Sequence, residues 1–317
     1  MRYIWLCLLV TFNSFFAVSQ QLHYYSDNFY GGVTGGGFNP GLTDLNSTLI
    51  LNIPPNSSIR KAFLFATSVK YFSQSNFSDS IKLTINGDDL WIGNNDVLHN
   101  SFIYEQGWSS DYFVEGTTLI KDISSSIPYQ STLSITSPLQ LGFPAIWRFY
   151  ILVLYENNNS NNTVVDIYIN NQDYQTTLNY TLNPSFKIDS LEDAGIALNT
   201  GHICDTTGDG SFVSVNSYQL GLIGGSEFNT INTHCSSPSG NFYYENNALY
   251  GLTDDVPDSL MRGTDAIANI KNYGQTSSID VEFIYQTPNT SSSNSSIVDQ
   301  LFLTYTTPCD TFSVQTT

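Results

Sequence analysis

Apolar residues recur at every second position along most of the chain, and this alternation constrains the fold more than any other feature. In SIKLTING (80–87) the apolar set is Ile81, Leu83 and Ile85, and SIDVEFIY (278–285) alternates in the same way. A period of two places successive side chains on opposite faces of a β-strand. No long run with a helical period interrupts these segments. The sequence therefore predicts an all-β fold.

Three further segments have the pattern of strands, and two of them are expected near the centre of the fold. RFYILVLYE (148–156) and DQLFLTYTT (299–307) are apolar on both faces, which is typical of strands covered on both sides. VVDIYIN (164–170) alternates, and its predicted inward set is Val165, Ile167 and Ile169. We expect the first two segments to be central strands of a sandwich.

The two halves of the chain repeat the same order of elements. Three pairs of segments match in pattern: 82–96 with 212–229, 116–138 with 263–285, and 148–159 with 298–308. This order predicts two similar antiparallel β-sandwich domains, jelly-roll-like and in tandem, spanning 20–180 and 181–317. One large sandwich whose hairpins look alike is the alternative.

The N-terminus reads as a secretory signal peptide over residues 1–19. A positive charge precedes the apolar run IWLCLLVTFNSFF, and small residues stand at Ala17 and Ser19 before a predicted cut at Gln20. The best later apolar stretch, 141–155, is too short for a span and contains Arg148. We expect a secreted protein of the extracellular space or cell surface, with no membrane insertion of the mature chain.

The charge balance narrows the choice of partners. The chain has 28 acidic and 10 basic residues and a formal net charge of −18. Such a chain repels nucleic acid and anionic lipid, so neither is expected as a partner. The polar, uncharged and tyrosine-rich remainder suits contacts with carbohydrate, with other surface proteins or with copies of the same chain.

Three cysteines remain once the signal peptide is removed: Cys204, Cys235 and Cys309. In an oxidising compartment we expect a Cys204–Cys235 disulfide, which closes a loop of roughly 30 residues and stabilises by about 3 kcal/mol. Cys309 is then unpaired within this scheme. A zinc site of His202, Cys204, His234 and Cys235 is the competing interpretation.

ICDTTGDGSFVSVN (203–216) contains parts of a calcium loop. Asp205 and Asp209 are spaced as in an EF-hand, but Thr207 and Asn216 stand where that motif needs an acidic ligand and a glutamate. It is therefore not an EF-hand. A looser calcium site and a plain hairpin turn both remain open, since Asp-Gly favours tight turns without metal.

A second acidic loop, TDDVPDS (253–259), carries Asp254 and Asp255. Its proline holds the carboxylates in a fixed loop, and calcium is the one cofactor that the sequence suggests. Solvated acids at a loop tip are the alternative.

Eight sequons for N-glycosylation are present. Chance alone predicts about seven in a chain so rich in Asn, Ser and Thr, so the count is no evidence of glycosylation. They are Asn46, Asn56, Asn76, Asn158, Asn161, Asn179, Asn289 and Asn294. The polar runs 157–163 and 289–296 are expected to be exposed loops.

No motif for catalysis is recognisable in the sequence, and we predict that the protein is not an enzyme. The aromatic-rich segments 28–41 and 241–251 are candidates for sugar-stacking or assembly loops. QQLHYYSDNFY (20–30) is a candidate terminal strand for assembly. A carbohydrate-binding module or a carbohydrate-active enzyme is the competing hypothesis.

Several short motifs resemble a β-rich module of secreted, adhesin-like surface proteins of bacteria and archaea. IRKAFLFATSV (59–69) would open the module, and Trp147 would precede the strand that ends in VLYEN (153–157). DAIANI (265–270) and a closing strand complete the likeness. Ile146 stands where a glycine is usual before the tryptophan. The resemblance implies a surface location and a binding or scaffolding role, without catalytic residues.

Overall fold

The computed structural model describes twelve ranges of the chain, which contain strands and short loops. The described residues are 21–38, 45–71, 81–106, 111–128, 132–137, 145–170, 177–185, 194–200, 212–222, 265–273, 278–284 and 298–307. Within them the fold is all-β and antiparallel, and they contain no α-helix. The predicted fold class is confirmed.

These residues form seventeen strands. In chain order they are β1 (Gln21–Phe38), β2 (Leu45–Ile50), β3 (Ser58–Tyr71), β4 (Ile81–Ile85), β5 (Asp88–Ile92), β6 (Val97–Gln106), β7 (Asp111–Asp122), β8 (Thr132–Ser137), β9 (Ala145–Glu156), β10 (Asn162–Asn170), β11 (Thr177–Leu182), β12 (Ala194–Thr200), β13 (Phe212–Val215), β14 (Tyr218–Leu222), β15 (Asp265–Asn269), β16 (Ile279–Ile284) and β17 (Val298–Thr306).

The strands build one large sheet and two small ones. The large sheet has the order β15-β12-β17-β10-β1-β9-β3-β7-β6, and the small sheets have the orders β2-β8-β4-β5 and β11-β16-β13-β14. We call β1 from residue 31 through β9 the first unit, and β10 through β17 the second unit. If β6 is set aside as an extra strand, each unit places its first, eighth, third and sixth strands in the large sheet. Its second, seventh, fourth and fifth strands form the small sheet, which is the strand order of a jelly roll.

The segments that match in sequence occupy equivalent positions in the two units. The first pair forms β4–β5 and β13–β14, the second contains β7–β8 and β15–β16, and the third forms β9 and β17. The internal repeat read from the sequence is therefore a repeat of strand order. The division of the chain at residue 180 falls inside β11, and that division stays a prediction.

One asparagine in each unit performs the same task at a hairpin turn. Asn86 (φ 52°) and Asn216 (φ 49°) both adopt the left-handed conformation that asparagine tolerates. The Asn86 amide donates to the Ser134 carbonyl at 2.8 Å, and Asn86 Oδ1 accepts the Ser134 amide at 2.7 Å. Asn216 makes the equivalent pair with Asp280 at 2.8 and 2.9 Å. Each asparagine thus ties its hairpin to the neighbouring strand of the small sheet.

Each unit has an apolar core between its small sheet and its part of the large sheet. In the first unit Leu64 and Ile151 of the large sheet face Leu83 and Ile135 of the small sheet. The core of the second unit contains Val164, Leu301 and Leu303 together with Tyr180, Val215 and Val281. These are two sandwiches, each with its own buried interior.

A third core joins the two units, because the two halves of the large sheet pack against each other. The first unit contributes Phe63, Phe65, Tyr150, Leu152 and Leu154, and the second contributes Val165, Ile167, Ile169 and Phe302. Consecutive residues of β9 therefore point alternately into the first core and the third, and residues 149–155 are all buried. The prediction that this segment is covered on both faces is confirmed.

The expectation for VVDIYIN was wrong in one respect. Val165, Ile167 and Ile169 are buried, but they face the other unit instead of their own sandwich. Val164 and Tyr168, which alternation assigned to the outer face, lie in the core of the second unit. All nine residues of β10 are buried because another sheet covers each face.

The long first strand passes from one unit to the other. Residues 21–30, which we call the N-terminal strap, pair with β10 of the second unit, from Gln21 opposite Asn170 to Tyr30 opposite Asn162. From Gly31 onwards the same strand pairs with β9 of the first unit. Residues 21–38 therefore first add a strand to the second unit and then form the first strand of the first unit.

Candidate functional site

All of the residues proposed for metal binding and disulfide formation lie outside the described residues. This applies to Asp205, Asp209, Asp254, Asp255, Cys204, Cys235 and Cys309. His202 and His234 are also outside them, so the choice between disulfide and zinc stays open. Within the described residues, no group of three or more His, Cys, Asp or Glu side chains is placed to hold a metal ion.

The described sequons occupy turns and two strands. Asn56, Asn158 and Asn161 are exposed in two turns, and Asn179 is exposed on β11. Asn46 lies in β2, while Asn76, Asn289 and Asn294 fall outside the described residues. The turn around Asn56 contacts the turn around Asn158, because the Asn157 amide group donates to Ser57 Oγ at 3.0 Å. Modification of any of these asparagines stays a prediction.

A cluster of hydrogen-bonded polar side chains lies where the N-terminal strap meets both units. On the face toward the second unit, the fully buried carboxylate of Asp166 accepts hydrogen bonds from three side chains. His23 Nε2 donates at 3.0 Å, Ser185 Oγ at 2.9 Å and the Tyr305 hydroxyl at 3.4 Å. The His23 ring also stacks on Tyr168 at 4.8 Å between centroids. A buried carboxylate needs such partners because burial without them costs several kcal/mol.

These residues resemble a hydrolase triad in type but differ from one in arrangement. His23 Nε2 and Ser185 Oγ both bond to Oδ1 of Asp166, so the imidazole does not lie between the carboxylate and the serine. Ser185 Oγ contacts Ser26 Oγ at 2.7 Å. A triad needs the histidine to accept the serine proton. The geometry instead holds the strap against the second unit.

On its other face the strap contacts the first unit. Arg60 Nε donates to Asp27 Oδ2 at 2.7 Å, and Arg60 Nη2 donates to Asp27 Oδ1 at 2.9 Å. Arg60 also pairs with Glu156, and its guanidinium lies 5.2 Å from the centroid of the Phe29 ring. Tyr25 packs edge-on against Phe63 at 5.0 Å. The strap is therefore bound to the second unit by its backbone and by side chains, and to the first unit by side chains.

The hydrogen bonds at Asp27 set its protonation. Burial alone would raise the pKa of Asp27, but hydrogen bonds from Arg60, from the Tyr25 hydroxyl and from the Asn28 amide outweigh it and lower that pKa. Burial, followed by the hydrogen bond to Asp27, raises the pKa of Tyr25 above its usual range. The hydrogen bond to Asp27 is the main cause of a raised pKa for Arg60. Asp27 is therefore a carboxylate at neutral pH, and Arg60 and Tyr25 beside it keep their protons.

A second polar surface lies on the outer face of the first small sheet. Trp91 on β5 is 53% exposed, and Lys82 opposite it on β4 places Nζ 6.0 Å from the ring centroid. Lys82 Nζ also lies 2.8 Å from Asp89 Oδ2, and Thr84 Oγ1 donates to Asp89 Oδ1 at 3.2 Å. An exposed indole is thus bordered by three hydrogen-bonding side chains.

Sequence reasoning located part of these surfaces. It singled out residues 20–30 as a terminal strand, but it gave no role to Arg60, Asp166 or Trp91. A carboxylate at the centre of a strand that is otherwise apolar was a usable signal for Asp166. Arg60 carried no comparable signal, because its partner lies 33 residues away on another strand.

Asp27→Asn is predicted to lower the free energy of unfolding by about 1–2 kcal/mol near neutral pH, because it removes a charge-assisted pair that is partly exposed. A carboxyl whose pKa is lower in the folded chain gives stability that is lost as pH falls below about 4. The variant should therefore lose less stability than the parent between neutral pH and that acid range. Urea unfolding across pH measures this.

The control for that comparison is Asp88→Asn, an exposed aspartate at the start of β5. It changes the net charge by the same amount without touching the strap. Equal pH profiles for Asp27→Asn and the parent would contradict the role assigned to Asp27.

In the part of the chain that is described, no helix is long and apolar enough to span a membrane. A comparison with solved structures finds "Crystal Structure of the STIV MCP" at 9% identity, covering 89% of this chain and 95% of that chain with a TM-score of 0.22. A likeness of that size carries no inference. No curated protein matches the chain. Residues 11–282 match a protein family of unknown function, DUF3344, and the chain therefore belongs to that family.

Proposed function

We propose that the protein is an exported, non-enzymatic building block of an extracellular or cell-surface structure and acts in adhesion or assembly. The observation that supports the proposal most is that the two jelly rolls share a buried core. They also share strand β1, which pairs with β10 of one and β9 of the other. Two domains joined only by a linker move independently. A block with a continuous interior transmits force and keeps its outer surfaces in fixed relation, which a structural or adhesive protein needs.

The sheet edges provide surfaces for assembly. Among the described strands, β6 and β15 end the large sheet, while β2, β5, β11 and β14 end the small sheets. Edge strands carry backbone groups that pair with another chain, and strand addition is a common mode of protein recognition. The proposed partners are copies of the same chain or other surface proteins.

The assembly state of residues 20–317 tests this proposal. We expect oligomers whose mass grows with protein concentration, measured by gel filtration with light scattering in calcium and again in a chelator. Loss of the oligomers in chelator would support calcium sites at Asp205 and Asp209 or at Asp254 and Asp255. Oligomers that are equally stable in chelator would assign those loops to plain turns.

A monomer at every concentration, with or without calcium, would contradict self-assembly. The melting temperature in the two buffers is the matched control, because calcium that binds only the folded chain raises it even when the mass does not change.

Carbohydrate binding is the second candidate function, and the outer face around Trp91 favours it. The C–H groups of a sugar ring carry partial positive charge and stack on the electron-rich face of an indole. Lys82, Thr84 and Asp89 lie beside that ring and supply hydrogen bonds to sugar hydroxyls. The occupant proposed for this face is a neutral polysaccharide.

Trp91→Ala is predicted to weaken retention by such a polysaccharide at least tenfold in affinity electrophoresis, with unchanged folding because the side chain is half exposed. Ile50→Ala is the matched control, since Ile50 is 54% exposed in the same small sheet but has no aromatic ring. If the parent chain and Trp91→Ala migrate alike in every polysaccharide tested, this second function is wrong.

A further inference from the structure

We propose that the N-terminal strap exchanges between copies, so that residues 21–30 of one chain pair with β10 of the next. This inference rests on the proposed assembly function and names the strand and the edge that carry it. Residues 21–30 then pair with the β10 edge in both the monomer and the oligomer. In the monomer they come from the same chain, and in the oligomer from a neighbouring chain.

The strap is separable from the strand that continues it. The strand pairs of residues 21–30 are made with β10, and those of residues 31–38 are made with β9. At the crossing, the Asn157 backbone amide donates to the Tyr30 carbonyl at 2.9 Å, and the Gly31 amide donates to the Asn161 carbonyl at 3.1 Å. Changing the chain that supplies the strap therefore keeps the pairing of residues 31–38 with β9, and only the bonds at the crossing have to rearrange. A second copy carries the same strap, so its residues 21–30 can make the same pairs with β10.

The side-chain contacts of the strap are equally transferable. His23 and Ser26 contact Asp166 and Ser185, while Asp27 contacts Arg60. Each of these contacts joins the strap to a residue outside it. A strap from a second copy makes the same contacts, so exchange leaves their number unchanged. Strand swaps are a low-cost route to oligomers for this reason.

Two glycines stand where the strand changes partner. A Cβ placed on Gly31 would lie 1.9 Å from the Tyr155 carbonyl oxygen, so only glycine fits the path that the chain takes within one molecule. Gly32 follows directly. Two consecutive glycines give the backbone more conformational freedom here than any other pair of residues would. The hinge needed for exchange therefore coincides with the crossing from one unit to the other.

Removal of the predicted signal peptide would also let the strap dock from outside. Cleavage at the predicted site before Gln20 would leave it at the N-terminus of the mature chain, with one end attached only through the hinge. A terminal strand needs no threading to reach the edge of a neighbour, which is how donor strands complete other sheets.

The double variant Ser26→Cys with Ser185→Cys tests the exchange in the full mature chain. The two hydroxyl oxygens are 2.7 Å apart and both side chains are exposed, so the cysteines lie within reach of a disulfide. After oxidation, non-reducing gels of the oligomer fraction should show chains linked to one another, and the monomer fraction should show links within one chain. The unsubstituted chain gives the background from Cys204, Cys235 and Cys309.

Thr84→Cys with Thr136→Cys is the matched control, because those residues pair between two strands of the first small sheet and stay within one chain. Oligomers whose Ser26–Ser185 links remain within single chains would overturn strap exchange and leave assembly by other edges standing. Absence of oligomers at every concentration would overturn both proposals.

A synthetic peptide of residues 20–30 gives a second readout on the unmodified chain. Excess peptide should compete for the β10 edge and shift oligomers toward monomer in light scattering, while a scrambled peptide should not. Oligomers of unchanged mass in excess peptide would contradict the exchange even if the cysteine variant failed to fold.

Discussion

The packing of β9 and β10 against each other's sheets is the constraint on which the rest of the structure depends. Both strands are buried on both faces, and the residues between them form a third core as apolar as the two sandwich interiors. A strand in that position cannot carry the polar outer face usual in antiparallel sheets. The constraint also explains why Asp166 is surrounded by donors, since β10 has no solvent-facing side for a carboxylate.

The N-terminal strap follows from the same constraint. Without it, the first strand of the second unit would expose a full edge beside the junction of the two units. The strap covers that edge with its backbone, while Tyr25, Asp27 and Phe29 reach the first unit from its other face. One segment thus closes a sheet and fastens two units.

Much of this architecture was predictable because it depends on local patterns. Alternation located the strands, and the match of residues 82–96 with 212–229 indicated elements that recur at equivalent positions. The face that β10 turns toward the first unit was not predictable, because alternation assigns two faces without saying what covers each. The role of Arg60 was not predictable because its partner Asp27 lies on a strand distant in sequence. Trp91 and Lys82 face each other within one local hairpin, but the strand pattern assigned neither of them a role. The acidic loops and the cysteines lie outside the described residues, so their interpretation still rests on sequence alone.

Alanine substitutions at two adjacent residues of β9 test the third core most directly. Ile151 points into the first sandwich and Leu152 into the core between the units, and both are fully buried. Urea unfolding of Ile151→Ala and Leu152→Ala should show losses of about 2–5 kcal/mol for each, because both leave a cavity in a packed interior. A full loss for Ile151→Ala together with a loss under about 0.5 kcal/mol for Leu152→Ala would mean that this face of β9 meets solvent, and that the two units do not share a core.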